Sequence, residues 1–136
     1  MSRARKYELI ALKHTIALQG YRREASRLFD EIARLDARIA QITELDLGYR
    51  KQLAEPNLHI TEYRDVLQII SRLSERREID VARNEILGAE RKRLIAILAE
   101  KKQQIEKLEE SALQIKKEEQ SERESRADAL IPARRQ

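Results

Sequence analysis

The sequence has no cysteine and no tryptophan, only two prolines and three glycines, and five aromatic residues among 136. Without thiols there is no zinc–thiolate site, no disulfide framework and no cysteine nucleophile. Tyr7, Tyr21, Phe29, Tyr49 and Tyr63 are the whole aromatic complement and valine occurs twice, which leaves little material for a sheet or a deep globular core. Long apolar runs are missing too. The longest, Leu94-Ile95-Ala96-Ile97-Leu98-Ala99, has six residues, far short of the ~20 that span a bilayer. Ser2-Arg3-Ala4-Arg5-Lys6 is basic but leads into Tyr7-Glu8 with no apolar stretch behind it. The sequence therefore predicts no secretory signal and a cytoplasmic location.

What the chain does have is charge. Asp, Glu, Lys and Arg make up 38%, with 28 basic against 24 acidic residues and a net charge of +4. The two signs are interleaved along the whole length, so most charges neutralise a neighbour on a solvated helix face. Leu, Ile, Val and Phe still amount to 35 residues, above the roughly 20% below which chains stay disordered. This is the composition of a long helix or coiled coil.

Proline and glycine punctuate helices, the one by removing an amide donor and the other by its backbone freedom. Pro56 lies in Ala54-Glu55-Pro56-Asn57-Leu58-His59-Ile60 and Pro132 near the end. One all-helical coiled-coil domain is expected over 1–136: a helix over about 3–53, a turn at 54–60, a helix over about 61–127 and a frayed tail to 136. Thr61 is a candidate N-cap, with Glu62 and Asp65 near the positive end of the helix dipole. Asn57 competes for that role.

Counting alternately by threes and fours through the first helix gives Tyr7, Ala11, His14, Leu18, Tyr21, Ala25, Leu28, Ile32, Leu35, Ile39, Ile42, Asp46, Tyr49 and Leu53. Only His14 and Asp46 are polar, and a stripe held this long at period 3.5 predicts a left-handed coiled coil. The second helix gives Tyr63, Val66, Ile70, Leu73, then Arg77, Asp80 and Asn84, then Leu87, Arg91, Leu94, Leu98, Lys101, Ile105, Leu108, Ala112 and Ile115. Ile79, Val81, Ala82 and Ile86 fall off this stripe, which predicts a local register shift between Leu73 and Leu87.

A short connection favours a long antiparallel two-helix hairpin. Folding about residue 57 and rising roughly 1.5 Å per residue, the arms would measure about 75 and about 100 Å. Met1 would then lie near residue 113, leaving 114–136 as an overhanging C-terminal helix that frays towards Pro132. The same pairing levels Arg22 and Arg23 with Arg91, Lys92 and Arg93, and Arg38 with Arg76 and Arg77. Two readings of these basic belts stand. Either Glu24, Asp36, Glu75, Glu78, Glu85 and Glu90 screen them as helical neighbours, or they suit an axial partner with an acidic lumen.

Catalysis needs a positioned nucleophile, acid or base in a pocket that excludes water, and a two-helix hairpin predicts none. His14 on the seam reads as a polar packing residue and His59 as a solvated turn residue. Neither has metal-ligand spacing to a second donor. Gly20, Gly48 and Gly88 are isolated, so no phosphate-cradling loop is present. No enzyme, no metal and no cofactor are expected. Nucleic acid is not expected either, because basic residues alternate with acids and aromatics are few. At the turn, Ile42, Leu45, Leu47, Tyr49, Leu53, Leu58, Ile60, Tyr63, Val66, Leu67, Ile69 and Ile70 exceed what one seam can bury. Leu45, Leu47, Leu67 and Ile69 fall off it, as a cap beneath the turn or as an exposed patch.

Tyr49-Arg50-Lys51-Gln52-Leu53, followed after a short turn by Glu62-Tyr63-Arg64-Asp65-Val66-Leu67 and a Lys/Arg/Glu-rich helix, resembles the flagellar type III export stalk family, FliJ. The injectisome stalk proteins (YscO-like) share this layout. The resemblance covers nearly the whole chain and includes Arg126-Ala127-Asp128-Ala129-Leu130. It implies a non-enzymatic hairpin that inserts into the hexameric export ATPase and touches the cytoplasmic domain of the export gate at the inner membrane, without itself entering the bilayer. Export chaperones are further candidate partners. The gate contact it implies maps to Ile42, Leu45, Tyr49, Val66, Ile70 and Leu73; family members usually carry an aromatic where Leu45 and Val66 stand. The ring contact maps to the free ends of both arms, 3–23 and 91–123, where Arg22, Arg23, Arg91, Lys92 and Arg93 are the candidates. An injectisome stalk homologue, a homodimerising coiled-coil scaffold and an export chaperone that masks an apolar helix of cargo are the alternative readings.

Overall fold

The structure, a computed structural model, describes residues 2–130. Within them the chain is all-α. Helix α1 spans Arg3–Leu53 and helix α2 spans Ile60–Leu130, and the two pack against each other as a hairpin. Among the described residues no helix is long and apolar enough to cross a membrane.

Local chemistry sets the helix ends. The Ser2 hydroxyl accepts the Arg5 amide and its carbonyl accepts the Lys6 amide, both at 3.2 Å, which satisfies donors the first turn leaves orphaned. α1 closes with the amides of Ala54 and Glu55 on the carbonyls of Lys51 and Gln52 at 3.1 and 3.2 Å. This is the tightened last turn expected just before a proline. α2 is capped by His59. Its Nδ1 accepts the Thr61 amide at 3.1 Å and its carbonyl accepts the Tyr63 amide at 2.9 Å. Neither Thr61 nor Asn57 fills the cap position, because an imidazole nitrogen at the residue before Ile60 does the work of a capping oxygen. Pro132 and the fraying expected towards it lie outside the described residues.

Two compact units divide the chain, Met1–Arg23 with Ile95–Gln136, and Glu24–Leu94. In the first, Ala4, Ala11 and Leu18 of α1 and Ile105 and Ala112 of α2 are buried. His14 and Lys101, both polar seam residues, answer each other, with the Lys101 ammonium 3.4 Å from His14 Nδ1. Glu8 pairs with Lys116, where folding about residue 57 would set it near residue 106. Ser2 and Ala4 line a groove with Lys116, Glu119, Gln120 and Arg123. The start of α1 therefore lies beside residues 116–123 rather than near 113. The fully exposed stretch of α2 is correspondingly 120–130, shorter than the overhang expected from 114.

In the second unit, Ala25, Leu28, Leu35 and Ile42 of α1 and Val66, Ile70, Leu87 and Leu94 of α2 are buried, and Asp80 joins them at 1% exposure. Three cross-helix contacts fix the register. Arg91 stacks over the Phe29 ring at 4.3 Å, Asn84 donates to Asp36 at 2.7 Å, and Arg77 donates to the Thr43 hydroxyl at 3.2 Å. They step by seven residues on each helix, in opposite directions. That spacing survives only if the heptad is unbroken, so the expected shift between Leu73 and Leu87 does not occur. The polar residues stay on the seam because α1 supplies partners for them, and Ile79 and Ile86 are left outward at 59% and 62% exposure.

Candidate functional site

The Glu24–Leu94 unit carries the densest chemistry. At its centre, Arg38 grips the Asp80 carboxylate with two bonds of 2.6 Å, from Nε to Oδ2 and from Nη2 to Oδ1. Arg76 adds a third cationic contact at 3.4 Å. The Arg38 hydrogen bonds, more than offsetting burial and helped by the charges of Arg38 and Arg76, hold the Asp80 carboxyl below the ordinary aspartate value. One layer away Arg83 reaches Glu31 at 3.2 Å. The belt expected at Arg38, Arg76 and Arg77 is thus a set of arginines drawn onto acceptors of the hairpin itself. Arg38 and Arg76 converge on Asp80, and Arg77 turns to Thr43.

Between this layer and the turn, Ile42, Thr43, Asp46, Arg50, Leu73, Ser74 and Arg77 surround a polar pocket of about 230 Å³. Asp46 sits on the seam but turns to Arg50 on its own helix, Nε to Oδ2 at 2.8 Å, which leaves Oδ1 buried without a partner. On α1, Gln41, Glu44, Leu45, Gly48, Tyr49 and Gln52 line an open groove of about 400 Å³. Gly48 forms part of it, and a β-carbon added there would touch nothing within 4 Å.

The residues mapped to a gate contact divide by burial. Ile42, Val66 and Ile70 are buried in the seam and Tyr49 and Leu73 are half-buried, whereas Leu45 stands 45% exposed. Leu47 and Leu67 are exposed with it, and Ile60 and Tyr63 are exposed at the start of α2. Of the four off-seam residues only Ile69 is half-buried. Leu45, Leu47 and Leu67 are therefore exposed one by one around the turn side, and Ile69 alone of the four is partly covered.

The residues mapped to a ring contact are all exposed. Arg22 and Arg23 belong to the unit formed by the chain ends, and Arg91, Lys92 and Arg93 to the Glu24–Leu94 unit. Arg91 is committed to Phe29 in a cation–π stack. Arg93 holds Glu90 at 2.5 Å, and that hydrogen bond lowers the Glu90 carboxyl below its ordinary value. Screening by Glu90 is the neighbour effect expected of a helix.

Sequence reasoning missed the Arg38–Asp80 clamp and the His59 cap. The signal for the clamp was present: an aspartate on the seam between Leu73 and Leu87, with arginines on both helices. No family model, curated protein or solved structure matches this chain.

Proposed function

We propose that the protein is the central stalk of a type III export apparatus of the flagellar kind, a non-enzymatic coupling element between the hexameric export ATPase and the cytoplasmic domain of the export gate. The observation that carries the reading is a hairpin of two long helices closed by a six-residue connection, 54–59. It is the architecture implied by the resemblance of Tyr49–Leu53 and Glu62–Leu67 to the FliJ family. In this reading the gate receives the exposed turn-side leucines, Leu45 first among the residues mapped to it, together with half-buried Tyr49 and Leu73. Ile42, Val66 and Ile70 act by holding that surface in place. Arg22, Arg23, Lys92 and their neighbours face acidic groups of the ring.

The mechanism is differential contact. A helical stalk that touches the subunits of a ring unequally biases their nucleotide states, and the same stalk touching the gate links the two equilibria. The chain supplies no chemistry, only a difference in binding free energy between ring states. Its place of action is the cytoplasmic side of the inner membrane, where export chaperones would also meet it.

The test is ATP hydrolysis by a purified hexameric export ATPase with the full chain added, and with a variant ending at Glu110. The full chain should raise the rate and the shortened chain should raise it less, because the truncation removes Ala112, Ile115 and the Lys116 partner of Glu8. Equal rates with and without the chain would remove the stalk reading.

A further inference from the structure

Over residues 77–84 α2 is amphipathic in reverse. The side towards α1 carries Arg77, Asp80 and Asn84, all bonded to α1, and the side away from it carries Ile79, Ala82, Ile86 and Ala89. These four recur at i, i+3, i+7 and i+10, the spacing of a helix-packing stripe. All four are exposed, the isoleucines by about three-fifths of their surface. An ordinary surface helix would place apolar side chains inward and charges outward. Here the isoleucines remain in water unless a second helix covers them.

We infer that this stripe is a self-association surface, on which α2 of a second copy of the chain lies antiparallel across a two-fold axis near residue 84. Charge selects the occupant and its direction. Exposed Glu75 and Glu78 lie at the N-terminal end of the stripe and exposed Lys92 at its C-terminal end, next to Arg93. An antiparallel partner sets Glu78 against Lys92, twice over by symmetry. In the same register Ile79 meets Ala89 and Ala82 meets Ile86, so that each large side chain faces a small one. A parallel partner would set Glu75 against Glu75 and Arg72 against Arg72, which is unfavourable. Two like pairs remain in the antiparallel form, at Arg83 and Glu85. Arg83 is already neutralised by Glu31, and Glu85 is exposed, where salt screens it. The surface is therefore isologous, closed by one two-fold, and yields a dimer rather than a filament. The inference does not rest on the stalk reading.

The full chain should show a reversible monomer–dimer equilibrium by sedimentation between roughly 1 µM and about 1 mM. Ile79→Glu with Ile86→Glu should raise the dissociation constant at least about tenfold and leave the helical circular dichroism unchanged, since neither side chain packs within the hairpin. Glu78→Lys should weaken the dimer, and adding Lys92→Glu should restore it. Because the chain lacks cysteine, direction can be read by oxidation. Ile79→Cys mixed with Ala89→Cys should form a mixed disulfide, and Ala89→Cys alone should not. A chain monomeric throughout that range, a dimer indifferent to the Ile79 and Ile86 substitutions, failure of the charge swap to restore the dimer, or efficient self-linking of Ala89→Cys would each overturn the inference.

Discussion

Arg38 on α1 holds Asp80 on α2 through two hydrogen bonds of 2.6 Å, yet the two side chains sit in different surroundings: Asp80 is 1% exposed and Arg38 46%. Asp80 takes the seam place that Leu73 and Leu87 take one heptad to either side. A charged residue on such a seam trades stability for a fixed register, because any slip would strand the carboxylate against aliphatic side chains. The clamp therefore specifies which heptad of α1 meets which heptad of α2.

The asymmetry of burial predicts an asymmetry of mutation. Arg38→Ala leaves a buried carboxylate with Arg76 as its remaining cation, and should lower the thermal midpoint clearly. Asp80→Leu restores an apolar seam and leaves Arg38 and Arg76 free to meet water, so it should hold or raise the midpoint. Thermal unfolding followed by circular dichroism ranks the two variants. A larger loss for Asp80→Leu than for Arg38→Ala would contradict this account of the clamp.

Acid should act through the same group. Asp80 is held below the ordinary 3.8, chiefly by the Arg38 hydrogen bonds, and Glu8 below the ordinary 4.5, chiefly by its hydrogen bond from Lys116. A carboxyl with a lowered folded value binds fewer protons folded than unfolded through this range. Its stabilisation is complete above its ordinary value and is lost as pH falls through the lowered one. The midpoint should be insensitive to these groups above about pH 5 and fall below about pH 4. Glu8 is partly exposed, so salt should blunt its share. The share of Asp80 should persist in salt and vanish in Asp80→Leu.

The hairpin was legible because heptad spacing and the single internal proline are local signals. The α1 stripe from Ala11 to Leu53 is buried or half-buried at every position. The middle of α2 was misread for a physical reason. Arg77, Asp80 and Asn84 look wrong on a seam until Thr43, Arg38 and Asp36 are seen opposite them, and that pairing exists only once both helices are in register. The His59 cap was hidden by the usual preference for Ser, Thr, Asp and Asn at that position. For the candidate site, the heptad arithmetic that placed Ile42, Val66 and Ile70 on the seam already implied burial. Only the off-seam Leu45, Leu47 and Leu67 were free to form a surface.

Two helical glycines offer stabilisation without repacking. A β-carbon added at Gly20 or Gly88 meets nothing within 4 Å, and both lie inside continuous helix. Each change to alanine should add about 0.5–1 kcal/mol by restricting the unfolded chain and improving helix propensity. With no neighbour within 4 Å of either added carbon and so no shared partner, the two should be nearly additive. Chemical denaturation of the single and double variants measures this, and a loss of stability at either site would mean that an unseen contact occupies the space.

Leu45 and Ile69 separate surface from structure at the turn side. Two heptads beyond the Glu31–Arg83 contact, Leu45 and Ile69 hold the equivalent places on α1 and α2, yet Leu45 is exposed and Ile69 half-buried. Leu45→Gln should leave helicity and midpoint nearly unchanged, since glutamine is as good a helix former and the side chain already meets water. Ile69→Gln should cost roughly 1–3 kcal/mol, because it sets an amide where an aliphatic chain packs. Binding to the isolated cytoplasmic domain of an export gate supplies the second readout: Leu45→Gln combined with Leu67→Gln should weaken it at full helicity. Equal destabilisation by Leu45→Gln and Ile69→Gln would make both residues part of one cap, and Leu45 would then not be a surface residue on offer to a partner.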